Sequence, residues 1–147
     1  MNARNQINSV LVHLFNEIMK LEERAIITEE FSDISNNDMH VIEAVGIKGN
    51  NMTTIANKLN ITVGSLTTAM NALVKKHYVE RNRSEKDRRI VNITLTEKGL
   101  KAYHHHARFH DQLTDAVVEK LDEEQVKLLA ATLGDLSDFF RRYEKNR

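Results

Sequence analysis

The order of the predicted elements between residues 35 and 96 constrains the fold more than any other feature of the sequence. Two short helical segments, joined by a turn at Asn60-Ile61, precede two β-prone segments that flank a charged turn. The second β-prone segment places Val91, Ile93 and Leu95 at period two, which is the alternation of a strand with one buried face. Two helices joined by a turn of a few residues form a helix-turn-helix. A β-hairpin directly after that unit predicts a winged helix.

The second helix of this unit has two contrasting faces. Its apolar residues recur at i, i+3, i+4 and i+7, which is one stripe of an α-helix: Leu66, Ala69, Met70 and Leu73. The opposite face is polar but almost uncharged, and it is formed by Ser65, Thr67, Thr68, Asn71 and Lys75. A solvated face usually mixes Glu and Lys, whereas short hydroxyls and an amide are able to meet base edges and phosphates. We therefore predict that this helix reads DNA.

The charged turn between the two β-prone segments and the residues that lead into it are rich in positive charge. Residues 75–89 contain three acidic residues and seven basic ones. The basic residues are Lys75, Lys76, Arg81, Arg83, Lys86, Arg88 and Arg89. Arginine in a narrow minor groove gains from the focused negative potential there. Asp87 is expected to hold the loop or one arginine by a charge-assisted hydrogen bond. Alone, such a turn is most often a solvated surface, but its place after a helix-turn-helix favours contact with DNA.

Long helices are predicted on both sides of the winged helix. Residues 5–28 carry apolar residues with alternating four- and three-residue spacing: Ile7, Leu11, Leu14, Ile18 and Leu21. This seam fits a core helix and a helix packed against a partner chain equally well. After the hairpin, one helix is expected from Thr96 to about Leu121, and another after a capping box of Asp122 and Gln125. These stripes exceed what a small winged helix can bury, which favours a dimer.

Short polar residues and glycines mark the predicted helix boundaries. Ser35 or Asn36 is expected to cap a helix that ends at Gly46 or Gly49. Thr53 or Thr54 is expected to cap the brief helix that follows, and Thr62 the DNA-reading helix. The DNA-binding domain is predicted over residues 35–99. Residues 1–34 and 100–147 are predicted to form a helical dimerisation region within the same continuous unit.

Charge is unevenly distributed along the chain, although the formal net charge is zero. Residues 35–103 hold eleven basic and six acidic residues, whereas residues 1–34 and 104–147 are both net acidic. A basic middle segment suits a module that meets phosphate. The absence of cysteine excludes disulfides and thiolate catalysis. No apolar run approaches ~18 residues and no signal peptide is visible, so a cytoplasmic protein without contact with a membrane is expected.

The wing segment has a specific resemblance. Asp87-Arg88-Arg89, followed by Leu95-Thr96 and Gly99, resembles the Asp-x-Arg and Leu-Thr-x-x-Gly signature of the MarR family of bacterial transcription regulators. The stretch from Ile61 to Arg81 resembles that family's recognition helix and its exit. The resemblance implies a mainly α fold with a small β-hairpin wing and long N- and C-terminal dimerisation helices. It also implies a homodimer that binds double-stranded DNA at a pseudo-palindromic operator.

The same resemblance assigns roles to individual residues. It places Ser65, Thr67, Thr68 and Asn71 in the major groove and Arg89 in the minor groove, with Arg88 and Lys86 near phosphates and Asp87 orienting the wing. The full set of predicted DNA-binding residues is Thr53, Ser65, Thr67, Thr68, Asn71, Lys75, Arg81, Arg83, Lys86, Asp87, Arg88 and Arg89. Many members carry arginine where this chain has Thr68 or Ala72, and glycine where it has His77. More of the specificity is therefore expected to rest on the wing and on DNA shape.

Within the family, the chain most resembles the regulators of fatty-acid synthesis in Gram-positive bacteria. The matching segments are Asp33-Ile34-Ser35 with Met39-His40, Gly64-Ser65-Leu66-Thr67-Thr68, residues 83–89, and Arg108-Phe109-His110. The resemblance implies a repressor that uses acyl-acyl carrier protein as corepressor. It also implies an apolar tunnel between the first, second and fifth main helices, with candidate lining residues Ile18, Leu21, Phe31, Met39, Ile42 and Phe109. Each of these residues is, by itself, more typical of an ordinary core than of a pocket lining.

A cluster of histidines leaves a further alternative open. His106 and His110 are four residues apart on one predicted helix, which is a common spacing of metal ligands. His40 is expected to approach them in a fold of this family, and zinc is bound by histidine and carboxylate without cysteine in many sites. The alternatives are hydrogen-bonded histidines without a metal, a zinc-responsive regulator, and a polar role in an effector pocket.

Two other function classes fit the sequence less well. An enzyme would need a phosphate-binding loop, an activated nucleophile or paired acids, and the sequence offers only the histidine cluster as a metal-dependent hydrolase site. A helical dimer adaptor would not need an arginine-rich wing or an uncharged polar helix face. We therefore predict a DNA-binding regulator with no catalytic residues and no cofactor.

Overall fold

The computed structural model describes residues 2–26, 28 and 30–146. They form six helices and a small three-stranded sheet, together with the segments that connect them. The helices are α1 (Ala3–Ile26), α2 (Asn36–Val45), α3 (Met52–Leu59), α4 (Val63–Lys75), α5 (Glu97–Val118) and α6 (Glu123–Lys145). The strands are β1 (Asn50–Asn51), β2 (Val79–Arg83) and β3 (Val91–Leu95). The chain divides into two compact units, Met1–Phe109 and His110–Arg147. The predicted winged-helix class is confirmed.

Local capping explains where most of the helices begin. Ser35 accepts a hydrogen bond from the backbone N–H of Asp38, whose side chain accepts in return from the Ser35 N–H, which is a capping box. Thr62 caps α4 as predicted, by accepting from the N–H of Ser65. The predicted capping box of Asp122 and Gln125 at the start of α6 is also confirmed. Each cap satisfies a backbone donor that has no partner within its helix.

The predicted cap of α3 was wrong. Asn51, and not Thr53 or Thr54, caps this helix: the Asn51 side chain accepts from the Thr54 N–H at 2.8 Å. Both threonines therefore lie inside the helix. α3 ends at Asn60, whose φ of 55° is left-handed, and this residue turns the chain towards α4. α1 also differs from the predicted residues 5–28, since it begins at Ala3 and ends at Ile26, and residue 27 lies outside the described residues.

The sheet contains the predicted hairpin and one strand that the sequence did not reveal. β2 and β3 pair antiparallel, from Val79 opposite Leu95 to Arg83 opposite Val91. β1 pairs with the other edge of β3, so the strand order is β1-β3-β2. Gly49, just before β1, has a φ of 79°, and a Cβ there would lie 2.8 Å from the Ile93 carbonyl oxygen. Glycine at this position therefore allows β1 to approach β3.

A buried apolar cluster fixes the orientation of α4. Leu66, Met70 and Leu73 are all fully buried, so the stripe predicted from the sequence faces the core. The cluster also includes residues of α2 and α3, together with Tyr78, Val79 and Ile93 at the base of the hairpin. Burying a side chain of this size contributes about 1.5–3 kcal/mol. Because three such residues hold one face of α4, its polar face is directed to solvent.

The second unit consists of the end of α5 and the whole of α6. α6 buries none of its residues in a single chain, and several of its large apolar side chains are about half exposed or more: Leu128, Leu133, Phe139, Phe140 and Tyr143. α1 in the first unit is similar, with Ile7, Leu11, Leu14 and Phe15 exposed by 40–60 %. Among the described helices, none combines the length and the apolar composition that are needed to cross a membrane.

Candidate nucleic-acid interface

The exposed face of α4 carries the residues predicted to read bases. Ser65, Thr68, Asn71 and Lys75 are exposed, and Thr67 is half-buried at the edge of the same face. Three of these side chains already make hydrogen bonds within the chain. The Ser65 hydroxyl oxygen accepts from the Thr62 hydroxyl at 3.0 Å. The Thr67 hydroxyl donates to the Val63 carbonyl oxygen at 2.8 Å. Arg81 on β2 donates from its guanidinium to the Asn71 side-chain oxygen at 2.6 Å, and so links the hairpin to the helix.

The tip of the hairpin is organised around Asp87. Its carboxylate accepts hydrogen bonds from the Arg89 guanidinium at 3.0 Å from each of two nitrogens, and from the Arg89 backbone N–H at 3.1 Å. Asp87 therefore holds an arginine, as the sequence predicted. The adjacent Arg89 keeps the pKa of the Asp87 carboxyl below its usual value, and Asp87 raises the pKa of Arg89 in return. Arg89 remains 91 % exposed, so one side of its guanidinium is accessible to a further anion.

A groove of about 550 Å³ lies between the start of α3, the first turns of α4 and the hairpin. Five of the predicted DNA-binding residues line it: Thr53, Thr67, Arg81, Arg83 and Arg89. The lining residues that sequence analysis did not select are Asn51, Met52, Thr54, Val63, Ile90 and Val91. Three arginines in one groove next to an exposed polar helix face form a surface that suits a sugar–phosphate strand. Lys86 and Arg88 are exposed in the turn between the strands, and Arg83 donates to the Arg88 carbonyl oxygen at 3.0 Å.

The base of the hairpin is anchored to the segment before α2. The hydroxyl of Tyr78, whose side chain is fully buried, donates to Asp33 Oδ1 at 2.6 Å. Lys98 Nζ lies 3.6 Å from Asp33 Oδ2 and 4.4 Å from the centre of the Tyr78 ring. The bond from Tyr78 lowers the pKa of Asp33, while burial, and then the bond to Asp33, raise the pKa of Tyr78. The exit of α4, the start of β2 and the segment before α2 are thereby joined.

The predicted effector-pocket residues occupy different environments. Phe31, Met39 and Ile42 belong to the buried core, and Ile18 and Phe109 are half-buried. Leu21 is exposed. Phe31 also borders a surface cavity of about 430 Å³, whose other lining residues are polar or charged: Glu30, Lys101, His104, His105 and Arg108. The apolar tunnel therefore stays a prediction.

The structure brings the predicted metal ligands His40 and His106 together and adds a residue that was missed. The rings of His40 and His106 lie 6.0 Å apart, and Glu22 of α1 lies between them. Glu22 Oε1 is 3.3 Å from His40 Nε2 and 3.5 Å from His106 Nε2. Glu22 and His106 are both buried, at 6 % and 2 % exposure. His110 lies in the second unit.

Comparison with known proteins identifies relatives of the whole chain. The model of the family described as transcriptional regulator SarA/Rot matches residues 25–105, which include the winged helix. Among curated proteins, the HTH-type transcriptional regulator YpoP of Bacillus subtilis is 26 % identical over 148 residues and is matched over 100 % of both chains.

Solved structures share the same architecture. The crystal structure of Streptococcus pneumoniae FabT in complex with DNA has a TM-score of 0.84 and 33 % identity, over 95 % of this chain and 98 % of that chain. A mutant of MarR from E. coli, complexed with operator DNA, has a TM-score of 0.61 and 21 % identity, over 92 % and 99 % of the two chains. The similarity to FabT extends over both sequence and fold, whereas the similarity to MarR shows the fold alone.

Proposed function

This chain belongs to the SarA/Rot family of MarR-like winged-helix transcriptional regulators, and we propose that it is a homodimeric repressor of fatty-acid-synthesis genes. It is a DNA-binding transcriptional regulator. The observation that carries the proposed DNA contacts is the groove in which α4 and the hairpin arginines meet. In this arrangement, the polar face of α4 enters a major groove, and Arg89 extends towards the adjacent minor groove.

The proposed roles of the basic residues follow from their positions. Arg81 and Arg83 line the groove beside the N-terminus of α3, where exposed cations and helix N–H groups favour phosphate oxygens. Lys86 and Arg88 in the hairpin turn approach phosphates, and Asp87 holds Arg89 in position. An operator titration by gel shift tests this placement with Arg89→Ala. Weaker binding with an unchanged melting temperature supports it, and unchanged binding contradicts it.

The homodimer is supported by the apolar side chains that a single chain leaves exposed. On α1, residues of the predicted seam such as Leu11 and Leu14 are exposed by 40 % and 41 %. Contiguous exposed apolar residues of this kind are typical of an interface. We expect Leu14→Glu to produce a monomer in size-exclusion chromatography with light scattering, since the substitution would bury a charge. Asn16→Glu, on an exposed position outside the seam, is the matched control. A dimer that persists in Leu14→Glu contradicts the role of this face.

The proposed corepressor is acyl-acyl carrier protein. The proposal is supported by the four segments that resemble the regulators of fatty-acid synthesis, and by similarity to a DNA-bound regulator over nearly the whole chain. The carrier protein is acidic, so it requires a basic contact surface, and the exposed basic residues of the first unit supply one. Operator binding is expected to be tighter with acylated than with unacylated carrier protein at equal concentration. Equal affinity with both forms contradicts this corepressor.

The cluster of Glu22, His40 and His106, in which Glu22 and His106 are buried, favours a second candidate, a zinc-responsive regulator. Ligand atoms of these three residues all lie within 4.8 Å of one another. Two atoms that each lie ~2.1 Å from a zinc ion at the tetrahedral angle are about 3.4 Å apart. The distances of 3.3 Å and 3.5 Å from Glu22 to the two histidines match this separation. A zinc ion held here would link α1, α2 and α5.

Calorimetric titration with zinc distinguishes this candidate from a hydrogen-bonded cluster without a metal. The wild-type chain is expected to bind one zinc ion per chain and to change its operator affinity when zinc is bound. His40→Ala removes a half-exposed ligand and is expected to abolish both effects. His104→Ala, on the exposed ring next to Tyr103, is the matched control and is expected to change neither. Absence of specific zinc binding by the wild type excludes the metal-responsive candidate.

A further inference from the structure

We propose that contacts within the chain bias the hydrogen-bond polarity of α4, so that Asn71 presents chiefly its NH₂ donors to DNA and Thr67 presents only an acceptor. The inference rests on the proposed function, in which this face of α4 enters the major groove. It identifies Arg81 as a positioning residue that determines which bases Asn71 accepts.

The polarity of Asn71 follows from the chemistry of its partner. The Arg81 guanidinium lies 2.6 Å from the Asn71 side-chain oxygen. A guanidinium only donates, so the atom of Asn71 that faces it has to be the carbonyl oxygen. The short distance and the charge of the donor make this a strong bond among the hydrogen bonds of the α4 surface. The side of Asn71 that remains accessible is therefore its NH₂ group.

This arrangement weakens the usual pairing of asparagine with adenine. In that pairing, the amide oxygen accepts from adenine N6 while the amide nitrogen donates to adenine N7. Arg81 occupies one of the two lone pairs of this oxygen, so a bond from adenine N6 would have to share the oxygen with a charged donor and is weakened. An NH₂ group alone is matched by an acceptor edge, which guanine offers at O6 and N7 and thymine at O4. Adenine offers only N7 as an acceptor beside its N6 amino group, and cytosine offers only its N4 amino group, so both are matched less well than guanine.

Thr67 has the opposite polarity and lies one helical turn before Asn71. Its hydroxyl donates its single proton to the Val63 carbonyl oxygen at 2.8 Å. Only its oxygen lone pairs are then available to a base, so Thr67 is matched by the amino group of cytosine or adenine. Because residues i and i+4 share a helix face, the two side chains address neighbouring positions of one half-site. The expected half-site thus pairs an amino-bearing base near Thr67 with an acceptor-bearing base near Asn71.

Selection of bound duplexes from a randomised pool, followed by sequencing, tests the inference in the full-length protein. Asn71→Ala first identifies the base position that Asn71 contacts, since preference is lost there. At that position the wild type is expected to favour guanine or thymine over adenine by roughly tenfold. Arg81→Met removes the guanidinium but keeps a long side chain, and it is expected to bring the ratio of guanine to adenine towards one. A purely structural role of Arg81 would lower the affinity for all sequences without changing this ratio.

Arg83→Met is the matched control, because Arg83 lies on the same strand but bonds to the Arg88 carbonyl oxygen and not to α4. It is expected to weaken binding to all duplexes by a similar factor and to leave the base ratio unchanged. An unchanged ratio in Arg81→Met overturns the inference and leaves the DNA-binding role standing. A wild-type preference for adenine or cytosine at the position of Asn71 also overturns it. Failure of the wild type to select any sequence would instead contradict the proposed function itself.

Discussion

The hydrogen bond between Tyr78 and Asp33 provides a quantitative test of how the winged helix is held together. Tyr78→Phe keeps the buried ring and removes only the hydroxyl that donates to the Asp33 carboxylate at 2.6 Å. A hydrogen bond to a charged group contributes about 1.5–3 kcal/mol. The Asp33 side chain is 43 % exposed, so water replaces part of the lost bond. We therefore expect Tyr78→Phe to lower the free energy of unfolding by about 1–2 kcal/mol, below the full range for such bonds.

Urea denaturation at one fixed protein concentration measures this change, since the stability of a dimer depends on concentration. Tyr143→Phe, in which a 65 % exposed tyrosine of α6 loses its hydroxyl, is the matched control and is expected to change stability by less than about 0.5 kcal/mol. A double-mutant cycle of Tyr78→Phe with Asp33→Ala is expected to give a coupling energy of about 1 kcal/mol. Additive effects of the two substitutions would refute the reasoning.

The pH dependence of the same difference provides a second check. The pKa of Asp33 is lowered from 3.8 and that of Tyr78 is raised from 10.0 in the folded protein. A lowered carboxyl pKa contributes stability above 3.8 that is lost as the pH falls through the folded value. A raised tyrosine pKa contributes stability that is present below 10.0 and lost as the pH rises beyond it. The stability difference between wild type and Tyr78→Phe is therefore expected to be largest between these limits, and a difference that persists unchanged below pH 3 contradicts the role of the carboxylate.

Three further substitutions test other parts of the structure. Arg89→Ala is expected to weaken operator binding without lowering the melting temperature, because the side chain is exposed and bonds to Asp87 at the tip of the hairpin. A lower melting temperature with unchanged binding would show a structural role. Because Asn51 caps α3, Asn51→Ala is expected to lower the free energy of unfolding in urea by about 1 kcal/mol. Thr53→Ala is expected to lower it by less, and the reverse order would contradict the assigned cap. Gly99→Ala is expected to lower the free energy of unfolding by at least ~2 kcal/mol, because a Cβ there would collide with the backbone of Tyr78. Near-wild-type stability would show that α5 shifts freely.

The elements that depend on local sequence were predicted correctly. The stripe of α4, its Thr62 cap and the hairpin are confirmed, because periodicity and capping act over a few neighbouring residues. Asn51 was missed for a physical reason. It caps α3 and also pairs with Asn92 across the sheet, and this long-range pairing has no local signature. With two threonines next to it, capping preference alone did not single out Asn51.

The candidate site shows the same division between local and long-range contacts. Asp87 was predicted to hold the loop or one arginine, and the structure identifies that arginine as Arg89, two residues away. The bond between Arg81 and Asn71 joins a strand to a helix ten residues away, and no periodic pattern indicates it. Glu22 was missed because it lies in α1 next to the apolar seam. Only the contacts of its carboxylate with His40 of α2 and His106 of α5 show that this acidic side chain is buried. Glu22 lies next to the two histidines only in the folded chain, so the sequence carries no sign of this contact.

The salt dependence of operator binding tests the central claim most directly. Each phosphate that a basic residue neutralises contributes about 0.9 to the slope of log affinity against log salt concentration. Replacing the three arginines that line the groove, Arg81, Arg83 and Arg89, with glutamine is predicted to reduce this slope by at most about 2.7, because Arg81 also bonds to Asn71 and Arg89 to Asp87. The control replaces Lys120, Lys127 and Lys145, which are exposed and do not line the groove, and is predicted to leave the slope unchanged. An equal slope in wild type and the arginine variant would contradict the proposed interface.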